Sequence, residues 1–347
     1  MAYTTIKKPS DYFDISNWTA TTSAINNLDF SPDWVWIKST DSGNGHILFD
    51  TIRGANKRLS SASNIAESTR TDELMSFDSN GYTLGSSGNT NDTNPFNASY
   101  VGWSWRGSDS SAVSNTDGSI TSTVSANTTS GFSIVSYTGT GANATVGHGL
   151  SVAPAFVIIK DRGNAISWVV SGDNIGWNKN MYLDDTSAIQ TANHFQDTAP
   201  TSSLMYLSTD AAVNGSSRNY IMYCFAEKKG FSKFGSYTGN GNSDGTFIYT
   251  GFKPALFIVK KSSASGANWK IFDNKRATTF NPTQTPFNAN DNSAEDDNSA
   301  YALDFLSNGI KIRNTNGNMQ NSGDTHIYMA FAENPLVGTN NIPATAR

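Results

Sequence analysis

Phe30-Ser-Pro-Asp-Trp-Val-Trp-Ile-Lys38, Val152-Ala-Pro-Ala-Phe-Val-Ile-Ile-Lys160 and Phe252-Lys-Pro-Ala-Leu-Phe-Ile-Val-Lys260 are three versions of one phrase. In each, a proline sets the backbone ahead of an unbroken apolar run, and a lysine ends it. A short run with no polar alternation, bounded by Pro and a polar turn, predicts a strand buried on both faces.

Two further phrases recur around it in fixed order. A second apolar run closes each unit: Tyr100-Val-Gly-Trp-Ser-Trp105, Tyr220-Ile-Met-Tyr-Cys-Phe-Ala-Glu227 and Ile327-Tyr-Met-Ala-Phe-Ala-Glu333. The opening phrases are Gly131-Phe-Ser-Ile-Val-Ser-Tyr-Thr-Gly139 and Gly230-Phe-Ser-Lys-Phe-Gly-Ser-Tyr-Thr-Gly239, with Tyr12-Phe-Asp-Ile-Ser-Asn-Trp-Thr19 as a weaker first version. Their partial alternation predicts one solvated face. The first and third units share more. Leu48-Phe-Asp-Thr-Ile-Arg53 matches Ile271-Phe-Asp-Asn-Lys-Arg276, and Ser79-Asn-Gly-Tyr-Thr-Leu84 matches Ser307-Asn-Gly-Ile-Lys-Ile312. Asn-Gly between apolar runs predicts a hairpin, because both residues tolerate positive φ. Three phrases in one order establish a repeat.

The units are expected at residues 1–107, 130–229 and 230–336, followed by a polar tail at 337–347. Residues 108–129 are rich in Ser, Thr and Asn and form a linker or an edge hairpin, with Ile120-Thr-Ser-Thr-Val124 as the one strand signal. Glu227-Lys-Lys-Gly230 ends one unit and begins the next, so the second and third should be rigidly coupled. Each unit carries six or seven apolar runs separated by turn signals, which is sandwich or jelly-roll spacing. A solenoid repeat is usually only about 20–45 residues. The predicted fold is therefore all-β: three tandem, diverged β-sandwich units of jelly-roll type.

Composition agrees. Charged residues are 15% of the chain, against about 25% in ordinary soluble proteins, while aromatics reach 12%. Turn-forming Gly, Ser, Thr and Asn dominate the polar remainder, and the aromatics supply cores that disordered chains lack. The net charge of −5 is spread without a basic block, which argues against nucleic acid. No apolar run is long enough for a membrane span or a signal peptide, so assembly in a cytoplasm is expected.

Chemistry is sparse. Cys224, the single cysteine, lies inside a closing run and reads as a small core residue. His46, His148, His194 and His326 lie far apart, so no metal pair is expected. His148, between Gly147 and Gly149, reads as a turn residue rather than a base. Asp291-Asn-Ser-Ala-Glu-Asp-Asp-Asn298 has calcium-type oxygens without calcium-loop spacing, so it reads as a solvated acidic loop, as does Asp184-Asp185. No nucleophile elbow, phosphate loop or dinucleotide fingerprint occurs. No catalytic residue, cofactor or metal is assigned, and no enzyme is expected. The one candidate ligand site is a pair of loop aromatics, Trp177 and Phe195, among Asn and Asp residues suited to sugar hydroxyls. Packing against a sheet end or a neighbouring subunit is the competing reading.

The opening Ala2-Tyr-Thr-Thr-Ile-Lys-Lys-Pro-Ser-Asp-Tyr-Phe13, the strand ending at Lys38, and Ile52-Arg-Gly-Ala-Asn-Lys57 resemble virion proteins of marine tailed phages, typified by those infecting cyanobacteria. Gly131-Phe-Ser-Ile-Val-Ser-Tyr-Thr-Gly-Thr-Gly141 and the run Tyr220 to Glu227 are similar to the later units of that family, so the resemblance spans nearly the whole chain. It implies concanavalin-like or SPRY-like sandwiches in a virion structural protein. A tail-fibre or receptor-binding component facing a host glycan is the first expectation. A capsid or tail decoration protein is the alternative, and a depolymerising tailspike has least support. Expected partners are other virion proteins, host surface glycan and further copies of the chain, a trimer by analogy with fibres. Trp34 and Trp36 share one face of their strand, so either that face is a contact surface between chains or it fills a larger core.

Overall fold

The computed structural model describes residues 3–19, 23–85, 98–108, 110–276, 280–337 and 343–345. The chain is almost entirely β, built from packed antiparallel sheets. Three large sheets share one strand order: opening, closing, apolar, and a fourth strand. The opening strands are Phe13–Thr19, Phe132–Thr138 and Ser232–Thr238. The closing strands are Ser99–Trp105, Asn219–Phe225 and Thr325–Pro335. The apolar strands are Trp34–Ser39, Phe156–Asp161 and Phe252–Lys261, followed by Ile47–Asp50, Val169–Gly172 and Lys270–Asp273.

Register is kept as well as order. Trp105, Phe225 and Phe331 of the closing strands pair with Trp34, Phe156 and Leu256 of the apolar strands. On the other side they pair with Phe13, Phe132 and Ser232. At the far end of each opening strand a ring stacks on the closing strand: Trp18 on Tyr100 at 5.5 Å, Tyr137 on Tyr220 at 5.2 Å, Tyr237 on His326 at 4.8 Å. His326 is thus a buried aromatic of the framework, and burial lowers its pKa to about 4.

A small sheet covers one face of each large one. Ala24–Ile25, Gly81–Leu84 and Leu74–Asp78 form the first, Ala144–Gly147 and Leu204–Leu207 the second. Phe247–Tyr249, Gly309–Ile312 and Leu303–Leu306 form the third. Hairpins form at both Asn-Gly phrases, but Ser79-Asn80 and Ser307-Asn308 are their two loop residues and the glycines begin the returning strands. Gly81 and Gly309 are needed for close approach, since a Cβ there would lie 1.7 Å from the Ile25 oxygen and 2.1 Å from the Ile248 oxygen. Between each pair of sheets lies a separate core. Val35 and Ile37 line the first, Val157 and Ile159 the second, Phe257 and Val259 the third.

The alternate residues of the same strands explain why those runs are apolar throughout. Trp34, Trp36, Phe156, Ile158, Leu256 and Ile258 all enter one further cluster, shared by the three units. Phe331 packs on Phe13, Trp105 and Phe225 with ring centroids 5.2, 5.6 and 6.0 Å away. Trp34 lies 4.5 Å from Trp105 and 4.5 Å from Tyr223. The Trp34/Trp36 face is consequently internal to the chain and offers no contact surface to another copy.

Residues 108–129 are not a free linker. Val113–Asn115 and Ser122–Asn127 add two strands beside the second opening strand, and Lys179–Tyr182 and Gln190–Thr191 add two on the opposite edge, so that sheet has eight. Ser, Thr and Asn suit such an edge because their side chains bond to nearby backbone, as Ser122 does to the Gly147 carbonyl at 3.1 Å. Of the expected tail, Val337 and Pro343 form an isolated bridge.

Candidate functional site

Where the three large sheets face one another, equivalent residues meet in rotation. Glu67 N–H donates to the Arg162 carbonyl at 2.8 Å, Ile189 N–H to Ser262 at 3.0 Å, and Glu295 N–H to Thr40 at 2.8 Å. First unit joins second, second joins third, third joins first. Arg162, Ser262 and Thr40 each stand two positions beyond the repeated lysine. The units are therefore arranged about a pseudo-threefold axis within one chain.

The side chains of the seams follow the same rotation. Trp168 Nε1 of the second unit donates to the Ser60 carbonyl of the first at 2.9 Å, and Trp269 Nε1 of the third to Tyr182 of the second at 2.8 Å. His46 holds the corresponding place in the first unit, accepting from Trp36 Nε1 at 2.8 Å and packing edge-on to Phe287 of the third. Burial drives His46 well below its usual pKa.

Deeper in, the two matched Asp-Arg phrases form buried ion pairs, Arg53 Nε–Asp50 Oδ2 at 2.5 Å and Arg276 Nε–Asp273 Oδ2 at 2.6 Å. Each carboxylate also receives a donor from another unit: the Tyr223 hydroxyl reaches Asp50 at 2.7 Å, and Trp103 Nε1 reaches Asp273 at 3.1 Å. Burial opposes the charge on Arg53, but Asp50, Tyr223 and Glu67 outweigh it and raise its pKa. In the second unit the ion pair is replaced by Gly172 and Ile175. The residue that would donate to it, in register with Trp103 and Tyr223, is Met329. Polar faces polar on two seams and apolar faces apolar on the third, because an unmatched buried donor would cost about 1–3 kcal/mol.

The three repeated lysines lie on these seams. Lys38, Lys160 and Lys260 are fully buried. Their ammonium groups cap loop carbonyls: Ser39 and Ser42, Asp161 and Asn164, Lys261 and Thr186. Burial lowers each pKa to about 8. Arg162 grips Glu67 with two bonds of 2.9 and 3.0 Å, and although burial works against that carboxylate, Arg162 and Arg53 hold its pKa below the usual range.

The two sequence-nominated sugar-binding residues are core residues instead. Phe195 is fully buried and Trp177 is 8% exposed. Their rings pack edge to face at 5.6 Å, and Trp177 Nε1 bonds to Asp173 at 3.0 Å. A stacking platform needs an open ring face, and neither has one. Local polarity misled because both sit in loops that fold back over the second sandwich core. Cys224 is buried, with its thiol pKa pushed far up by desolvation. His148 is buried too, its ring in a turn where Nδ1 accepts from Leu150 N–H. Among the described residues no group of three or more His, Cys, Asp or Glu could hold a metal ion. Asp291 and Asp185 are engaged by local bonds from Asn288, Ser293 and Ser187. Among the described residues no helix is long and apolar enough to cross a membrane.

The fold and its junction define an all-β protein of sandwich units locked about a shared core. A family model described as a domain of unknown function, DUF7483, matches residues 8–335, and the chain belongs to that family. One model thus spans all three units together. No curated protein and no solved structure matches the chain.

Proposed function

We propose that this protein is a non-enzymatic component of a tailed-phage virion, a receptor-binding or tail-fibre module that displays β-sandwich lobes to the host surface. The observation that carries the display reading is the rotation of backbone bonds Glu67–Arg162, Ile189–Ser262 and Glu295–Thr40. Lobes tied on both sides to their neighbours hold their outer loops in fixed relative positions. Binding then loses little free energy to ordering. The phage assignment rests on the resemblance of the opening and repeated phrases.

The acids of the junction serve structure: Asp50, Asp273 and Glu67 are all taken up by arginines. This supports an inert role over glycan cleavage, and purified protein should release no reducing sugar from host polysaccharide. A decoration protein bound to other virion subunits is the second reading, favoured because the chain satisfies its threefold interface internally. Assembly would occur in the host cytoplasm, without membrane insertion.

The test is immunogold labelling and mass spectrometry of purified particles, with binding of the isolated protein to whole host cells. Particle-borne protein that binds cells supports the receptor-binding reading; particle-borne protein that ignores cells supports decoration. Absence from purified particles refutes both.

A further inference from the structure

Among the described residues, the outer face of the third unit's small sheet is the one that carries two exposed aromatic rings. Phe247 and Tyr249 lie two apart on its edge strand and point outward, 43% and 54% exposed, while Ile248 between them is buried. Opposite Tyr249 stands Gly309, and opposite Phe247 stands Lys311. The missing side chain at Gly309 lets the Phe247 ring lean across it: a Cβ there would lie 3.1 Å from Phe247 Cε2. The Phe247 ring thus lies low on the sheet as an open ledge.

Tyr249 is also held in place. Its hydroxyl and that of Tyr3 both crowd Gly251, where a Cβ would lie 3.5 Å from the Tyr249 oxygen and 2.8 Å from the Tyr3 oxygen. Tyr3 in turn donates to the Gly251 carbonyl at 2.5 Å and receives Lys229 over its ring at 4.6 Å. Beside the ledge stand donors and an acceptor together: Lys311, opposite Phe247, pairs with the exposed Asp244 at 2.9 Å, and Arg313 reaches the same carboxylate at 3.4 Å. Asp304 faces Lys311 across the sheet.

We infer that the Phe247–Tyr249 ledge is a carbohydrate site, taking a pyranose ring of a surface glycan. A pyranose offers an apolar C–H face to an aromatic ring and hydroxyls at its rim, which need both donors and acceptors. The ledge supplies both within one sheet face. A second copy of this chain is a poor occupant, because two aromatic side chains fall far short of the roughly 20–30 residues a side of a stable interface. A lipid surface is a poor one too, since the exposed Asp244 carboxylate is paired with Lys311, the residue opposite Phe247.

This inference rests on the display reading and gives it a site. The probe is a panel of methyl glycosides and disaccharides of glucose, galactose, mannose and N-acetylglucosamine, read by saturation-transfer NMR on the full chain. At least one sugar should receive saturation on its C–H face. Phe247→Ala and Tyr249→Ala should each weaken that binding about tenfold, equivalent to about 1.4 kcal/mol. Val113→Ala, an exposed apolar position elsewhere, should leave it unchanged. No saturation with any sugar, or equal binding by the Phe247 and Tyr249 variants, overturns the site. So does concentration-dependent self-association that Phe247→Ala abolishes. Protein found on particles without sugar binding sinks the ledge alone; sugar binding by a protein absent from particles sinks the virion reading alone.

Discussion

The hydroxyl of Tyr223 donates to Asp50 Oδ2 across 2.7 Å, from the closing strand of the second unit into the buried ion pair of the first. The bond is buried and its acceptor is charged, a combination that contributes about 1.5–3 kcal/mol. Tyr223→Phe should lower stability by that amount in urea unfolding with the fold intact. Asp50→Ala should cost more, about 3–5 kcal/mol, because it leaves the buried Arg53 with only the longer 3.4 Å contact to Glu67 as an ion pair. Equal, negligible effects of both would show that the seam carries no load.

Phe331 reaches all three units, so its removal tests whether they melt together. Its ring lies near Phe13 and Trp105 of the first, Phe225 of the second and Phe234 of its own. Phe331→Ala should cost about 3–5 kcal/mol through lost burial and the cavity left behind. Calorimetry should show one transition shifted downward. Two or three separate transitions would mean that the units are independent domains.

The repeated phrases made the framework legible. Proline, apolar run and lysine gave the three central strands, and the Leu48 and Ile271 phrases held the Asp-Arg pairs of two seams. Periodicity could say that Trp34 and Trp36 share a face, but not that this face meets Phe132 and Tyr223 of another unit. That contact depends on how sheets far apart in sequence pack. The lysines read as strand ends, since the pattern does not show that the following loop turns its carbonyls back over Lys38 and Lys160, or that Thr186 of another unit closes over Lys260. The aromatic ledge escaped for a related reason. Phe247-Ile-Tyr249 looks like any short strand, and its exposure is set by the edge it occupies and by the glycine opposite. Trp177 and Phe195 failed in the opposite direction, being polar in context and buried in space.

The buried lysines predict an alkaline gain in stability. Their pKa falls from 10.5 in the unfolded chain to about 8 in the folded protein. Between these values the unfolded state binds more protons, so stability rises with pH, by up to about 1.4 kcal/mol per pH unit for each lysine. Below pH 8 the penalty is fully present. Cys224, whose pKa is raised from 9.0, and buried Tyr82 and Tyr237, raised from 10.0, oppose the gain above their ordinary values. The clean window is therefore pH 8 to 9. Chemical denaturation at those two values should show the rise, and Lys38→Met should reduce it by about a third. A stability that falls between pH 8 and 9 would contradict it.

The mass of the protein in solution follows from what the junction has already used. A homotrimer of single sandwiches would bury the faces carrying residues such as Trp34, Phe156 and Leu256 between chains. Here one chain supplies all three faces, and these residues are buried without any partner. Exposed large apolar side chains remain at Ile65, Met75, Val113, Val152, Phe247, Tyr249 and Phe280. Among the described residues these come singly or in pairs, too few for the roughly 800 Å² a side of a stable interface. The isolated protein should therefore scatter light as a monomer of 37.3 kDa at micromolar concentration. A stable species of three chains would restore the fibre-type trimer and require an interface outside the pseudo-threefold core. In that case Trp34→Ala, which acts inside the chain, should lower the melting temperature of each protomer without dissociating the assembly. If the same substitution instead released monomers, the internal placement of that face would be wrong.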